Sequence, residues 1–494
     1  MDKRKEQLGM KKEGLGTPAS PRYDSLARRV LIPEFRLLTL NFPDSSIASE
    51  TLDHEFIEEA YGYFPNFPVL IQGDGVPWEI GNLYLVDRLK RSVSYESRTF
   101  QSVATHLVDY LRFLEDEELD FLAFPENDNL KVTYKYRRRL IDQINSGEVK
   151  RRTGKIRMNA VVKFYKSIMK HKLVKASSFK YQPYEIVWKY ITIENNFGLS
   201  SLLPVESHNL AIAAPTSPKL PEYINDGGML RPLSIDEQER VLFGLLGSSR
   251  EYQLIFYVAL FTGARIQTIC TIQVRHIWRE LDGQGDLRLP VGGGTGVDTK
   301  WGRLMTIIIP GWLVQDLRIY SRSLESKKRR EKSFYGDVDT NYLFLTSNGS
   351  EHYTSKREIK DRGIVGVSQI ASDRDRAYGS IREGATIRQF ISETLYPRII
   401  QTDKLFRRFR FHDLRASFGM NLLESEIESR GPDGVMAALD VVQQRMGHKD
   451  KSTTMQYLNY RSNLERKADI QSKFESRLFK HVNTASGMVN ASDE

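Results

Sequence analysis

The run Phe411-His412-Asp413-Leu414-Arg415 is followed by Met446-Gly447-His448 and then by Ser452-Thr453-Thr454-Met455-Gln456-Tyr457. These stretches decide the reading of the chain, because they gather one arginine, two histidines and a tyrosine in a short segment. At i and i+3 of a helix, His412 and Arg415 share a face and can meet the same ligand. A guanidinium offers a planar fork of N–H donors that suits phosphate oxygens and stays charged at any working pH. Imidazole titrates near neutrality, so each histidine can move a proton or hydrogen-bond an oxygen. A free phenol titrates at about 10, so a nucleophilic tyrosine needs cations or a base beside it. The set is suited to attack on a phosphodiester.

Upstream, a further arginine closes the turn Phe261-Thr262-Gly263-Ala264-Arg265 and opens an apolar helix containing Ile266, Ile269 and Ile272. The free N–H groups of a helix start favour an anion there. Ser234 with Glu237 three residues on makes a capping box, which predicts a helix through about Leu246. A second helix is expected from Tyr252 to Leu260. The runs Asp286–Pro290 and Leu304–Pro310 are strand-like and flank Gly292-Gly293-Gly294-Thr295-Gly296. No Gly-Lys-Ser/Thr follows those glycines and no G-x-G-x-x-G frame fits, so they read as part of a β-hairpin and not as a phosphate loop. Beyond Tyr457, Ile470, Phe474 and Leu478 recur every four residues and predict a C-terminal helix.

A chain of 494 residues implies two or three domains. Its net charge of +9 points to a polyanionic partner. The single cysteine, Cys270, excludes an internal disulfide and fits a reducing compartment. The absence of a long apolar run argues against a membrane span, and the charged start lacks an apolar signal core. Val103, Leu107, Tyr110, Leu111 and Leu114 form one helical stripe in a segment beginning near Ser97, and Arg157–Lys172 reads as another helix. Between them lie Tyr134-Lys135-Tyr136-Arg137-Arg138-Arg139 and Lys150-Arg151-Arg152-Thr153-Gly154-Lys155, cations suited to tracking a phosphate backbone. Residues 203–232, rich in Pro and Gly, read as a linker. No His/Cys/Asp/Glu cluster has metal-ligand spacing, no Ser-His-Asp arrangement is evident, and no cofactor is expected.

Taken together, these motifs resemble the tyrosine recombinases, the phage-integrase family. The resemblance rests on Arg265, on His412-x-x-Arg415 followed by Ala416-Ser417-Phe418, and on Gly447-His448, Thr453-Thr454 and a tyrosine nine positions after His448. Met446 stands where the family usually has Leu, and Thr268 where it usually has a carboxylate. The resemblance implies a mainly α chain with a small antiparallel β-sheet, in which a helical core-binding domain and a catalytic domain form a C-shaped DNA clamp. The expected layout is an N-terminal tail and extension (1–90), core-binding domain (91–202), linker (203–232), catalytic domain (233–482) and flexible tail (483–494). Residues 311–405 would be an insertion, and the C-terminal helix would dock on a neighbouring or its own protomer.

The implied catalytic residues are Tyr457 as nucleophile, Arg265, Arg415, His412 and His448 around the phosphate, and Lys300 as a strand-borne acid for the leaving oxygen. The implied DNA-binding residues are Arg137, Arg138, Arg139, Lys150, Arg151, Arg152 and Lys155. Cutting and rejoining would pass through a 3′-phosphotyrosyl link, for integration or excision of a mobile element. The partner would be double-stranded DNA, held at synapsis by a homo-tetramer or by a hetero-complex with related recombinases, in the cytoplasm at the nucleoid. Alternatives are a non-catalytic DNA-binding subunit, or a resolvase or topoisomerase of the same mechanism.

Overall fold

The stripe over residues 103–114 lies on one helix of the first unit, and its buried side chains show why the segment is helical. In the computed structural model, which describes residues 24–41, 55–93, 95–194, 200–213, 223–365 and 381–478, Leu107, Tyr110, Leu111 and Leu114 are all buried. The two terminal tails fall almost wholly outside the described residues.

The first unit runs to Ser217. Strands β1 (Arg28–Asn41) and β2 (Glu55–Ile71) pair antiparallel, followed by α1 (Glu79–Arg91), α2 (Ser97–Asp116), α3 (Val132–Asn145) and α4 (Arg151–Lys170). Strands β3 (Ile186–Glu194) and β4 (Ser200–His208) close it as a second antiparallel pair. Residues 27–37 and 64–90 share their core with the helices: Phe67, Leu70, Tyr84 and Leu85 pack in one cluster with Tyr110, Tyr136, Phe164 and Tyr165. The buried hydroxyls are satisfied inside it. Tyr110 and Tyr165 bond each other at 2.7 Å, Tyr165 also donates to the Phe121 carbonyl, and Tyr136 donates to Asp109.

The second unit begins at Pro218. Within the stretch read as a linker lies a short hairpin, β5 (Ile224–Asn225) and β6 (Met229–Leu230). Helix α5 (Ile235–Leu245) starts at the expected capping box, with Ser234 and Glu237 bonded reciprocally. Helix α6 (Arg250–Thr262) leads into α7 (Ile266–Cys270), and β7 (Leu287–Val291) pairs antiparallel with β8 (Met305–Ile309). Then come α8 (Gly311–Arg322), α9 (Leu324–Glu331), α10 (Lys356–Val365), α11 (Ala385–Phe390) and α12 (Tyr396–Thr402). The motif helices are α13 (Asp413–Arg430), α14 (Val435–Met446) and α15 (Lys451–Leu478).

The chain is thus mainly α, and its strands among the described residues form four separate antiparallel pairs. The stretch 311–405 supplies Leu313, Val314, Leu317, Phe344, Ile387 and Leu395 to the same core as α6 and β7. Its arginines are partly spent inside the fold: Arg329 pairs with Glu251, and Arg362 with Glu351 and Glu358. No helix among the described residues is long and apolar enough to cross a membrane.

Candidate active site

Four chain segments meet where the motifs predict. Helix α6 ends at Gly263, whose left-handed backbone (φ +66) and tight approach to Phe418 exclude a side chain, since a β-carbon there would lie 2.4 Å from the Phe418 ring. The turn delivers Arg265 as the N-cap of α7. His412 is the N-cap of α13, with Arg415 in its first turn. Helix α14 ends at Gly447, again left-handed, and hands the chain to His448, while Tyr457 lies on α15.

The centre of the assembly is a residue outside every motif. Asp226, at the tip of the β5–β6 hairpin, is buried, and its Oδ2 accepts from Arg415 Nε at 2.7 Å, His448 Nε2 at 3.1 Å and the Tyr457 hydroxyl at 3.4 Å. Its Oδ1 lies 3.2 Å from Arg265 Nη2, and its main-chain carbonyl 3.3 Å from His412 Nε2. Arg415 uses its other edges on the chain itself: Nη1 donates to the Gly263 carbonyl (2.8 Å) and Nη2 to the Met446 carbonyl (2.6 Å). A guanidinium fork is expected to suit phosphate oxygens, and the structure adds that Nη1 and Nη2 of Arg415 hold the ends of α6 and α14.

Burial alone would raise the Asp226 carboxyl, but its His448 hydrogen bond and the Arg415 and Arg265 charges outweigh that and hold it far below the usual carboxylate range. Tyr457 is wholly buried, and burial together with the charge of Asp226 pushes its phenol well above 10. His412 is pulled down to about 4 by burial and by Arg415 and Arg265, so its ring is neutral at physiological pH. His448 is fixed on its other side by Thr454, whose hydroxyl lies 3.0 Å from Nδ1.

Lys300 sits in a short 3-10 turn between β7 and β8, not on a strand, so that part of its expected placement is also corrected. A β-carbon placed on Gly227 would lie 3.6 Å from Lys300 Nζ and 3.9 Å from His412 Nε2, which puts the ammonium beside the other residues. Arg303, its neighbour, donates to the Gly447 carbonyl. Thr268, in the position expected to be acidic, is buried, and the carboxylate that pairs with Arg265 and Arg415 is Asp226. In the first unit Lys150, Arg151 and Arg152 are exposed at the start of α4, and Arg138 is exposed on α3. Arg137 and Lys155 are half-buried, and Arg139 is paired with Asp116 and Glu117. Among the described residues no three His, Cys, Asp or Glu side chains gather as a metal ion would need.

No protein-family model matches the chain, and no curated protein does. Among solved structures it is similar to the integrase of transposon Tn1549 (residues 82–397) in complex with circular intermediate DNA, at 14% identity and a TM-score of 0.38, covering 76% of this chain and 94% of that one. It is similar to the lambda integrase tetramer bound to a Holliday junction at 12% identity and a TM-score of 0.38, covering 77% and 76%. It is similar to XerA recombinase at 18% identity and a TM-score of 0.28, covering 76% and 93%.

Two outcomes follow from the packing and charges. Gly419 on α13 faces the nucleophile candidate so closely that a β-carbon would meet Tyr457 Cε1 at 2.5 Å. Gly to Ala inside a helix ordinarily stabilises by about 1 kcal/mol. Here Gly419→Ala should instead destabilise by roughly 1–3 kcal/mol through overpacking, read as a lower midpoint in urea; an unchanged or higher midpoint would contradict the contact.

Stability should also fall as pH drops from about 6.5 to 4. His412 and His276 are depressed to about 4 and His352 to about 3, each mainly by burial. In that window the unfolded chain binds protons that the folded one refuses, by up to about 1.4 kcal/mol per pH unit for each group. Glu358, raised to about 7 by burial and by Glu351, acts in the opposite direction but is one group against three. Urea titrations at pH 7 and pH 5 measure the difference, and equal midpoints would remove the account.

Proposed function

We propose that the chain is a tyrosine-type site-specific recombinase that cuts and rejoins double-stranded DNA through a 3′-phosphotyrosyl intermediate, in the integration or excision of a mobile element. The observation that carries this reading is the convergence of Arg265, Arg415, His448 and Tyr457 on one anionic position, with His412 and Lys300 beside it. Those donors now hold a carboxylate. The non-bridging oxygens of a phosphodiester present the same kind of acceptor.

In the proposed reaction the Tyr457 oxygen attacks the scissile phosphorus and the bond to the 5′ oxygen breaks. The phenolic proton leaves through the histidine side of the pocket, and Lys300 gives a proton to the departing 5′ oxygen. Arg265 and Arg415 offset the charge that builds on the non-bridging oxygens, a contribution of several kcal/mol when the donors are preorganised. The phosphodiester energy is retained in the phosphotyrosyl bond, so a 5′-hydroxyl of the partner duplex reverses the step and completes exchange. Lys150, Arg151, Arg152 and Arg138 in the first unit, with Arg137, Arg139 and Lys155, would neutralise backbone phosphates, which predicts binding that weakens steeply with salt. Assembly on DNA as a tetramer, or as a hetero-complex with related recombinases, and a location at the nucleoid belong to the same proposal.

The test is a duplex carrying the element ends and a nick beside the scissile bond, so that the released fragment diffuses away. A covalent protein–DNA adduct stable to detergent and carrying a nucleotide remnant on the peptide that contains Tyr457 is expected. Specific binding to those ends with no adduct would favour the non-catalytic DNA-binding subunit.

A further inference from the structure

Asp226 and Gly227 occupy the position on which the candidate catalytic side chains converge. The Asp226 carboxylate is shared among Arg265, Arg415, His448 and the Tyr457 hydroxyl, and Gly227 lies between Lys300 and His412. The Oδ2 atom is the common acceptor of three of these groups. A second anion seeking the same three donors meets both a filled volume and a like charge. We propose that the β5–β6 hairpin is a displaceable plug, with Asp226 as an internal stand-in for the phosphodiester, and that substrate binds only when the hairpin withdraws.

The hairpin is held at defined points. Its ladder has two residue pairs, Ile224 with Leu230 and Asn225 with Met229, far fewer than an isolated hairpin needs for stability of its own. Ile224 and Leu230 are buried against α13–α15. Polar ties fix the rest: Asn225 N–H donates to Gln456 Oε1 at 2.8 Å, next to the nucleophile candidate, and Arg410 donates to the Met229 carbonyl. Around Gly228 a β-carbon would meet nothing within 4 Å, so the tip is open on its outer side. Withdrawing Asp226 also removes the negative charge that, together with burial, raises the Tyr457 phenol above its ordinary value. Plug and nucleophile are therefore coupled: the carboxylate oxygen that accepts from Arg415 and His448 also accepts from the Tyr457 hydroxyl.

This inference rests on the proposed reading of the site for its consequence, but not for its first test. Inorganic phosphate is titrated calorimetrically into the full chain and into Asp226→Ala. The variant is expected to bind it at least tenfold more tightly, with the gain lost when Arg265→Ala is added. Equal or weaker binding by Asp226→Ala overturns the plug, because a carboxylate that only orients the arginines would leave a poorer anion site when removed.

Asp226→Ala leaves a buried arginine without its partner and can lower stability, so a second variant keeps the hairpin closed instead. Asn225→Cys with Gln456→Cys ties the hairpin to α15 through a disulfide formed with a mild added oxidant, and the one native cysteine, Cys270, is buried. The tied protein should form no adduct on the nicked duplex, and reduction should restore it; adduct formation at the untied rate overturns the plug. Tighter phosphate binding with no adduct from any form would uphold the plug and remove the recombinase reading.

Discussion

Tyr457→Phe should form no covalent DNA adduct, with strand cleavage at least about a thousandfold below the parent chain, the scale seen when a nucleophile is removed. The fold should survive, because the hydroxyl makes one long contact of 3.4 Å to Asp226, and that carboxylate keeps Arg415 and His448. The phenylalanine ring retains the packing that buries Tyr457 against Gly419 and Met446. Urea midpoints of the two proteins should therefore agree to within about 1 kcal/mol. Tyr460, three residues along the same helix, is the internal control: Tyr460→Phe should cleave as the parent does. Full adduct in Tyr457→Phe would move the nucleophile elsewhere.

Arg415→Ala should cost both activity and stability. Three hydrogen bonds disappear, to Asp226, to the Gly263 carbonyl and to the Met446 carbonyl, and a buried carboxylate loses its shortest partner. Removing one member of a buried charge pair costs about 3–5 kcal/mol, and loss of a preorganised cation at the phosphate costs a further hundredfold or more in rate. Arg415→Lys keeps the charge but cannot span three acceptors set around a planar guanidinium, so it should recover part of the stability and little of the rate. Adding Asp226→Leu to Arg415→Met removes both charges. That double variant should unfold at a higher urea concentration than Arg415→Met alone while remaining inactive. If the pair were no more stable than the single variant, the ion pair would not be the source of the loss.

Much of the site was legible in the sequence because its parts are local. His412 and Arg415 lie one helical turn apart, Gly263 and Gly447 mark left-handed helix ends, and the spacing from His448 to Tyr457 is one loop and two turns of α15. The helices over 97–116 and 235–245 were legible for the same reason, since a burial stripe and a capping box are patterns within one element. Asp226 was not. Its partners lie 189 residues away at Arg415 and 231 away at Tyr457, and no local pattern marks a carboxylate that is to be buried among distant cations. Its surroundings, Asn-Asp-Gly-Gly after a Pro-rich run, read as linker, although Asp-Gly between Ile224 and Leu230 is also the signature of a tight hairpin. The stretch 311–405, expected as an insertion, packs apolar residues into the core of the second unit, and two of its arginines, Arg329 and Arg362, pair with buried acids, which its charge pattern did not foretell.

One guanidinium, that of Arg415, joins the last turn of α6 to the last turn of α14 and faces the hairpin between them. The consequence is genetic as much as structural. Both acceptors are main-chain carbonyls, so a side-chain change at Met446 leaves the knot tied, and Gly263 stays constrained by its left-handed backbone and by Phe418 whether or not the arginine is present. A lineage that lost this arginine would still keep glycine at 263, so decay at position 415 alone would mark descendants that keep the fold without the chemistry.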